Sequence, residues 1–216
     1  MFRERAVAEK GFTLLELMMV VGLMSVVFCS TASILVMSQR IFYSTSIYGQ
    51  LTQGAAQSLR SLGREIGQTS PNATPSHLNI AAMGNGMSRV CFQIPVDWDN
   101  DGDAVTGTLN PQIEWGAYAV EGQTTNGLLN NWVCYSVNNN NQLIRQVSDA
   151  AFVAIAGLTA EVVARNVQNF QVVQNANGTL QMTLTLQATD TTGQSGAGRV
   201  FQSTFTSTTL LRNAVN

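Results

Sequence analysis

Charge is scarce in this chain and unevenly spread. Only 11% of its 216 residues are Asp, Glu, Lys or Arg, with one lysine, Lys10, and one histidine, His77. The 11 basic residues against 13 acidic ones leave a formal charge of −2. That supplies no cationic field for gripping phosphates, so nucleic acid is not an expected partner. A lone histidine with no nearby carboxylate, no nucleophile elbow, no phosphate-binding glycine loop and no His/Cys metal cluster leave an enzyme without machinery. His77, just past Pro75, is expected to be a solvent-facing loop residue rather than a base. No proline occurs before Pro71, so none interrupts a helix that begins near the amino end.

What is abundant is apolar. Hydrophobic residues make up 45% of the chain, too many for a disordered polypeptide and enough for one or two small domains. Between Glu16 and Arg40 lie 23 uncharged residues, Leu17 to Gln39, where about 20 apolar residues suffice to cross a bilayer core. The run is too long for the apolar region of an ordinary secretory signal. Arg3, Arg5 and Lys10 crowd ahead of it and only Arg40 follows closely, which predicts a cytoplasmic amino end and a translocated remainder.

The junction ahead of the apolar run reads Lys10-Gly11-Phe12-Thr13-Leu14-Leu15-Glu16-Leu17. It resembles the class III signal of type IV prepilins and type II secretion pseudopilins, over about a dozen residues. The resemblance implies that a prepilin peptidase cuts between Gly11 and Phe12 and methylates the new amino terminus, while the apolar segment stays in the mature protein. It also implies that Glu16 pairs with the free amino terminus of a subunit, docking each newcomer into a growing fibre. On physical grounds alone, a carboxylate inside an uncharged bilayer helix costs several kcal/mol unless paired, and so marks a functional site. The alternative is a glutamate near the helix end that snorkels to the interface.

Beyond Arg40 the residues Tyr48, Leu51, Ala55, Leu59, Leu62 and Ile66 recur at spacings of three and four, one stripe of a continuing helix. From Phe12 to Ile66 such a helix is about 80 Å long, so its first half stands clear of any domain that its second half packs against. Gly49, Gly54 and Gly63 are places for it to bend or melt locally. After the turn-rich stretch from Ser70 to Pro75 the periodicity becomes that of strands. Val90 to Ile94 and Val133 to Val137 read as strands, and Gln142 to Val147 pairs with the second of them across the Asn138 to Asn141 turn. Phe170 to Gln174 and the alternating Leu180, Met182, Leu184 and Leu186 form a plainer hairpin around Asn175 to Gly178. Thr191 to Gly198 reads as a flexible loop and Phe201 to Leu211 as the last strand. The stretch Ala150 to Val163 stays unassigned between loop, helix and strand.

The fold class expected is therefore α+β: a long amino-terminal transmembrane helix whose carboxy-terminal half packs on an antiparallel β-sheet head, as in the type IV pilin fold. The divisions are a leader at 1–11, a transmembrane half at 12–39, an extended amphipathic half at 40–70 and a β-rich head at 71–216. The acidic Asp/Gly insertion, Leu143-Ile144-Arg145 and the closing Leu211-Arg212-Asn213 resemble PilW-type minor pilins, and the J-type pseudopilins of type II secretion share the architecture. Major pilins usually carry a proline in the transmembrane helix and a carboxy-terminal disulfide loop. This chain has neither, which favours a minor or initiating subunit. The resemblance implies an inner-membrane location with a cytoplasmic amino terminus, then a pilus or pseudopilus with the head in the periplasm or outside. The partners it implies are the prepilin peptidase, other minor pilins and the major pilin, the inner-membrane assembly platform and the lipid bilayer. A membrane-anchored extracellular binding protein is the alternative of a different class.

Two further sites are legible in the head. Cys91 and Cys134 occupy equivalent places in two similar strands, in a compartment inferred to be oxidising, and point to a disulfide rather than two free buried thiols. Closing a loop of over 40 residues would stabilise the head by about 4 kcal/mol on the chain-entropy model. Cys29, among Val26, Val27 and Phe28, reads as a lipid-facing packing residue. Asp97-Trp98-Asp99-Asn100-Asp101-Gly102-Asp103 has carboxylates at alternate positions and glycine at the sixth, the opening half of an EF-hand-like calcium loop. The twelfth position is Thr108 instead of glutamate, so a cation would need Glu114 or another group to complete its shell. Otherwise the loop is a solvated acidic turn. No other cofactor is expected.

Overall fold

A computed structural model describes residues 11–70, 76–106, 112–190, 193 and 198–211. The leader up to Lys10, the Pro71–Pro75 linker, Thr108, most of the 191–198 loop, Arg212 and Asn213 lie outside the described residues.

One helix, α1 (Leu14–Ile66, 53 residues), makes up the amino-terminal part of the described chain. Thr13 caps it: the backbone there is extended and its Oγ1 accepts from the Glu16 N–H at 3.3 Å. With no proline inside, the helix runs unbroken past Gly49, Gly54 and Gly63. Every residue from Gly11 to Phe42 is exposed, and the hydroxyls of Ser25, Ser30, Thr31 and Ser33 all donate to carbonyls within the helix. Their polarity is thus satisfied internally, as an apolar surrounding demands. Near the far end the helix buries Leu51, Ala55, Ser58, Leu59, Leu62, Glu65 and Ile66. The expected stripe is there except for Tyr48, which stays exposed and sets its ring edge-on to Phe201.

Among the described residues the head has thirteen strands in chain order: β1 (Leu78–Ala82), β2 (Ser88–Phe92), β3 (Ile94–Pro95), β4 (Val105–Thr106), β5 (Gln112–Ile113), β6 (Trp115–Ala117), β7 (Leu128–Leu129), β8 (Trp132–Val137), β9 (Leu143–Ser148), β10 (Glu161–Ala164), β11 (Val167–Gln174), β12 (Thr179–Thr189) and β13 (Val200–Leu210). All pairings are antiparallel. The larger sheet runs β1-β2-β8-β9-β10, a second runs β11-β12-β13, and β3-β6-β7 and β4-β5 form two small ribbons. The fold class is α+β. Helix α1 lies against β12 and β13, where Leu180, Met182, Leu184 and Leu186 turn their alternate side chains into the core. The hairpin turn that aims them closes at Gly178, in the left-handed region at φ 76°.

Gly63 is the close approach between the two layers, since a Cβ there would sit 2.8 Å from Thr209 Oγ1 on β13. Two details differ from the sequence reading, and one stretch it leaves unassigned takes a definite form. The strand expected over 90–94 breaks at Gln93, because β2 pairs with β8 while β3 pairs with β6, so the chain changes sheet there. Ala150 to Val163 is mostly loop, held by a bridge between Ser148 and Ala154, with β10 starting at Glu161. His77 is not solvent-facing. It is 9% exposed, stacked on Trp115 with centroids 4.2 Å apart, and its Nδ1 lies 2.7 Å from Gln93 Oε1.

Candidate functional site

The sequence-predicted positions fall at two separate places. The first is the helix start. Gly11 and Phe12 lie in non-helical chain just ahead of the Thr13 cap, with nothing within 4 Å of where a Gly11 Cβ would stand and Phe12 82% exposed. Among the described residues nothing crowds the bond between them. Glu16 sits in the first turn, exposed, where its charge favours the positive end of the helix dipole. Its carboxylate meets no partner among the described residues. The pattern of a capping box, threonine with glutamate three residues on, accounts for the main-chain contact of Glu16 but leaves its side chain available.

The second place is in the head. Cys91 and Cys134 face each other in register on β2 and β8 and form a disulfide, with Cα atoms 4.1 Å apart. Cys29 is free and exposed on the apolar half of the helix.

The loop after β3 folds back on its own aspartates. Gly102 N–H donates to Asp97 Oδ2 at 3.1 Å, Asp101 N–H to Asp99 Oδ1 at 3.4 Å and Asp103 N–H to Asp101 Oδ1 at 3.0 Å. Gly102 holds φ 100°, a conformation that a side chain would strain. One oxygen each from Asp97, Asp99 and Asp101 lies within 4.8 Å of the others. Asp103 is not in that group; its Oδ1 accepts from Val105 N–H at 2.8 Å. Neither is Glu114, whose two oxygens accept from Trp98 Nε1 at 2.9 Å and Trp98 N–H at 3.4 Å. The Asp99 carboxyl is held above the usual carboxylate range by desolvation first, and then by the charges of Asp101, Glu114 and Asp97, against a lowering hydrogen bond from Asp101.

A third polar cluster was not foreseen. Glu65, on the buried face of α1 and 4% exposed, receives a fork of hydrogen bonds from Arg145 of β9, 1% exposed: Nη2 at 2.8 Å and Nε at 3.0 and 3.1 Å. Tyr135 donates to the second oxygen at 2.7 Å, and Arg145 also donates to the carbonyls of Tyr118 and Ala119. Burial and the Glu65 charge push the Tyr135 hydroxyl well above the ordinary tyrosine range. Burial alone would lower Arg145, but the hydrogen bonds and charge of Glu65 outweigh it and the guanidinium is held charged. The signal was present in the sequence. Arg145 alternates with Leu143 and Val147 on one strand face, and Glu65 stands three residues from Leu62 on the stripe. Tyr118 joins this cluster to the acidic loop, since its hydroxyl accepts from the Asp97 N–H at 2.8 Å.

Among the described residues, these clusters bring no nucleophile together with a base. What it offers is an apolar exposed rod with one carboxylate, clamped onto a disulfide-bonded head that carries an acidic loop. No family model, no curated protein and no solved structure matches the chain.

Proposed function

We propose that this chain is a non-enzymatic assembly subunit, a minor pilin of a type IV pilus that works at the tip or in the priming complex. Cut after Gly11, it would be held in the inner membrane by the first half of α1 until it enters the fibre. The observation that carries this reading is the division of one helix into two environments. From Gly11 to Phe42 every residue is exposed and the sole charges are Glu16 and Arg40, whereas from Leu51 onward a stripe is sealed against the head. The described helix is long and apolar enough to cross a membrane, and the apolar window that qualifies it is wholly unburied, unlike the core helix of a globular domain. A rod of that kind packs against lipid before assembly and against other rods within a fibre. The pilin-like fold, the peptidase and the pilin partners all belong to this proposal, supported by the Gly11-Phe12-Thr13-Leu14-Leu15-Glu16 junction lying at an open helix start.

The test is the amino terminus of the protein recovered from membranes. Mass spectrometry should find a methylated Phe12 in cells with the prepilin peptidase and the segment ahead of Gly11 still attached in cells without it. A plain anchored receptor would be the same in both strains. Met1 in the first strain, or cleavage beyond Ser30, would sink the assignment.

A further inference from the structure

The acidic loop carries an observation that its composition does not. Asp97 is only 6% exposed, yet its Oδ1 is buried with no hydrogen-bond partner while Oδ2 is used by Gly102. A buried carboxylate oxygen with no donor loses its hydration without replacement, at a cost natural folds avoid. The backbone of Asp97 cannot swing it away. Its N–H is held by the Tyr118 hydroxyl and its carbonyl accepts from Gly127 N–H at 3.0 Å. Buried Glu114 adds a second negative charge behind Trp98 and, among the described residues, no arginine forms an ion pair with either carboxylate.

We infer that the missing partner is a calcium ion held by Asp97, Asp99 and Asp101. Calcium binds oxygens at 2.3–2.6 Å, so two oxygens on one ion lie at most about 5 Å apart, and the three carboxylates already converge within 4.8 Å. Asp103, seventh in the loop, stands at the position from which a calcium loop of this kind contributes a main-chain carbonyl. Water completes the shell. Three converging carboxylates suit calcium better than magnesium, which demands a tighter octahedron and usually takes one or two carboxylates. The ion satisfies the orphaned oxygen and cancels the repulsion among the aspartates. This inference stands whatever the helix does in the membrane.

The experiment uses the full chain in detergent micelles, first stripped with a chelator. Millimolar calcium should raise the melting temperature by about 5–10 °C once it exceeds Kd a hundredfold, with magnesium having little effect. Terbium should show emission sensitised through Trp98, and calcium should displace it. Asp97→Asn should abolish both signals. Because that variant removes a buried charge and can disturb folding, Asp99→Asn, at an exposed site, should lose them in a protein that melts like the calcium-free wild type. Asp149→Asn, on an acidic residue outside the loop, should keep both. No calcium shift, an equal shift with magnesium, or a shift retained in Asp99→Asn would overturn the assignment.

Discussion

Two glutamates on one helix show how differently the ends of this molecule are held. Glu65 is buried and takes a forked contact from Arg145 plus a hydroxyl from Tyr135, all within the chain. Glu16 is exposed in the first turn, and its carboxylate has no partner among the described residues. The first is a question the fold answers itself, since a paired and fully hydrogen-bonded carboxylate can fix where a helix sits on a sheet. The second is left for another molecule or the membrane interface to answer. A charge with its partner in the same chain serves the fold, and a charge without one is what the proposed assembly role of Glu16 draws on.

The comparison predicts a descending series of effects on the head. Arg145→Ala strands the Glu65 charge in the core and should cost about 3–5 kcal/mol in denaturant unfolding of the full chain. Replacing the pair together, Arg145→Met with Glu65→Leu, should recover most of that. A joint loss as large as the single one would mean that apolar packing cannot stand in for the pair. Next comes removal of the Cys91–Cys134 bridge by serine at both positions, expected to cost about 4 kcal/mol at most on the chain-entropy model. Its existence is checked by alkylation in denaturant, which should label only Cys29 before reduction and all three cysteines after it.

Smaller effects separate the two halves of the helix more finely. Gly63→Ala forces a methyl against Thr209 and should destabilise by about 1–3 kcal/mol, with Thr209→Ala in the same chain relieving the loss. Gly49→Ala, with nothing within 4 Å of the new methyl, should instead stabilise by up to about 1 kcal/mol. Smallest of all, Glu16→Gln should leave the melting of the head and membrane insertion unchanged while the protein fails to enter fibres. Fibres that still incorporate the variant would remove the pairing role of Glu16.

What the sequence disclosed about this fold was whatever repeats locally. The stripe from Leu51 to Ile66, the alternation from Leu180 to Leu186 and the asparagine turns are short-range patterns, and each lands in the expected element. The Glu65–Arg145 pair spans 80 residues, so each half was visible on its own apolar face while the match between them was not. The burial of His77 depends on Trp115, and the switch of sheets at Gln93 on which strand each neighbour meets. In the acidic loop the spacing of carboxylates was plain. That Asp97 is buried, with its N–H on the distant Tyr118 hydroxyl, while Asp103 stays outside the converging group is nothing the spacing encodes.

The disulfide has a mechanical meaning. It joins β2 to β8 directly and bridges 43 positions of sequence. Tension between α1 and β13 therefore crosses from Cys91 to Cys134 without travelling through the chain between them. That intervening stretch, which would otherwise pay out about 150 Å of slack, is shielded from load. The loop of Asp97, Asp99 and Asp101 hangs within it, as do Tyr118 and Trp115. A head under traction can thus lose its outer strands while the acidic loop stays off the line of force.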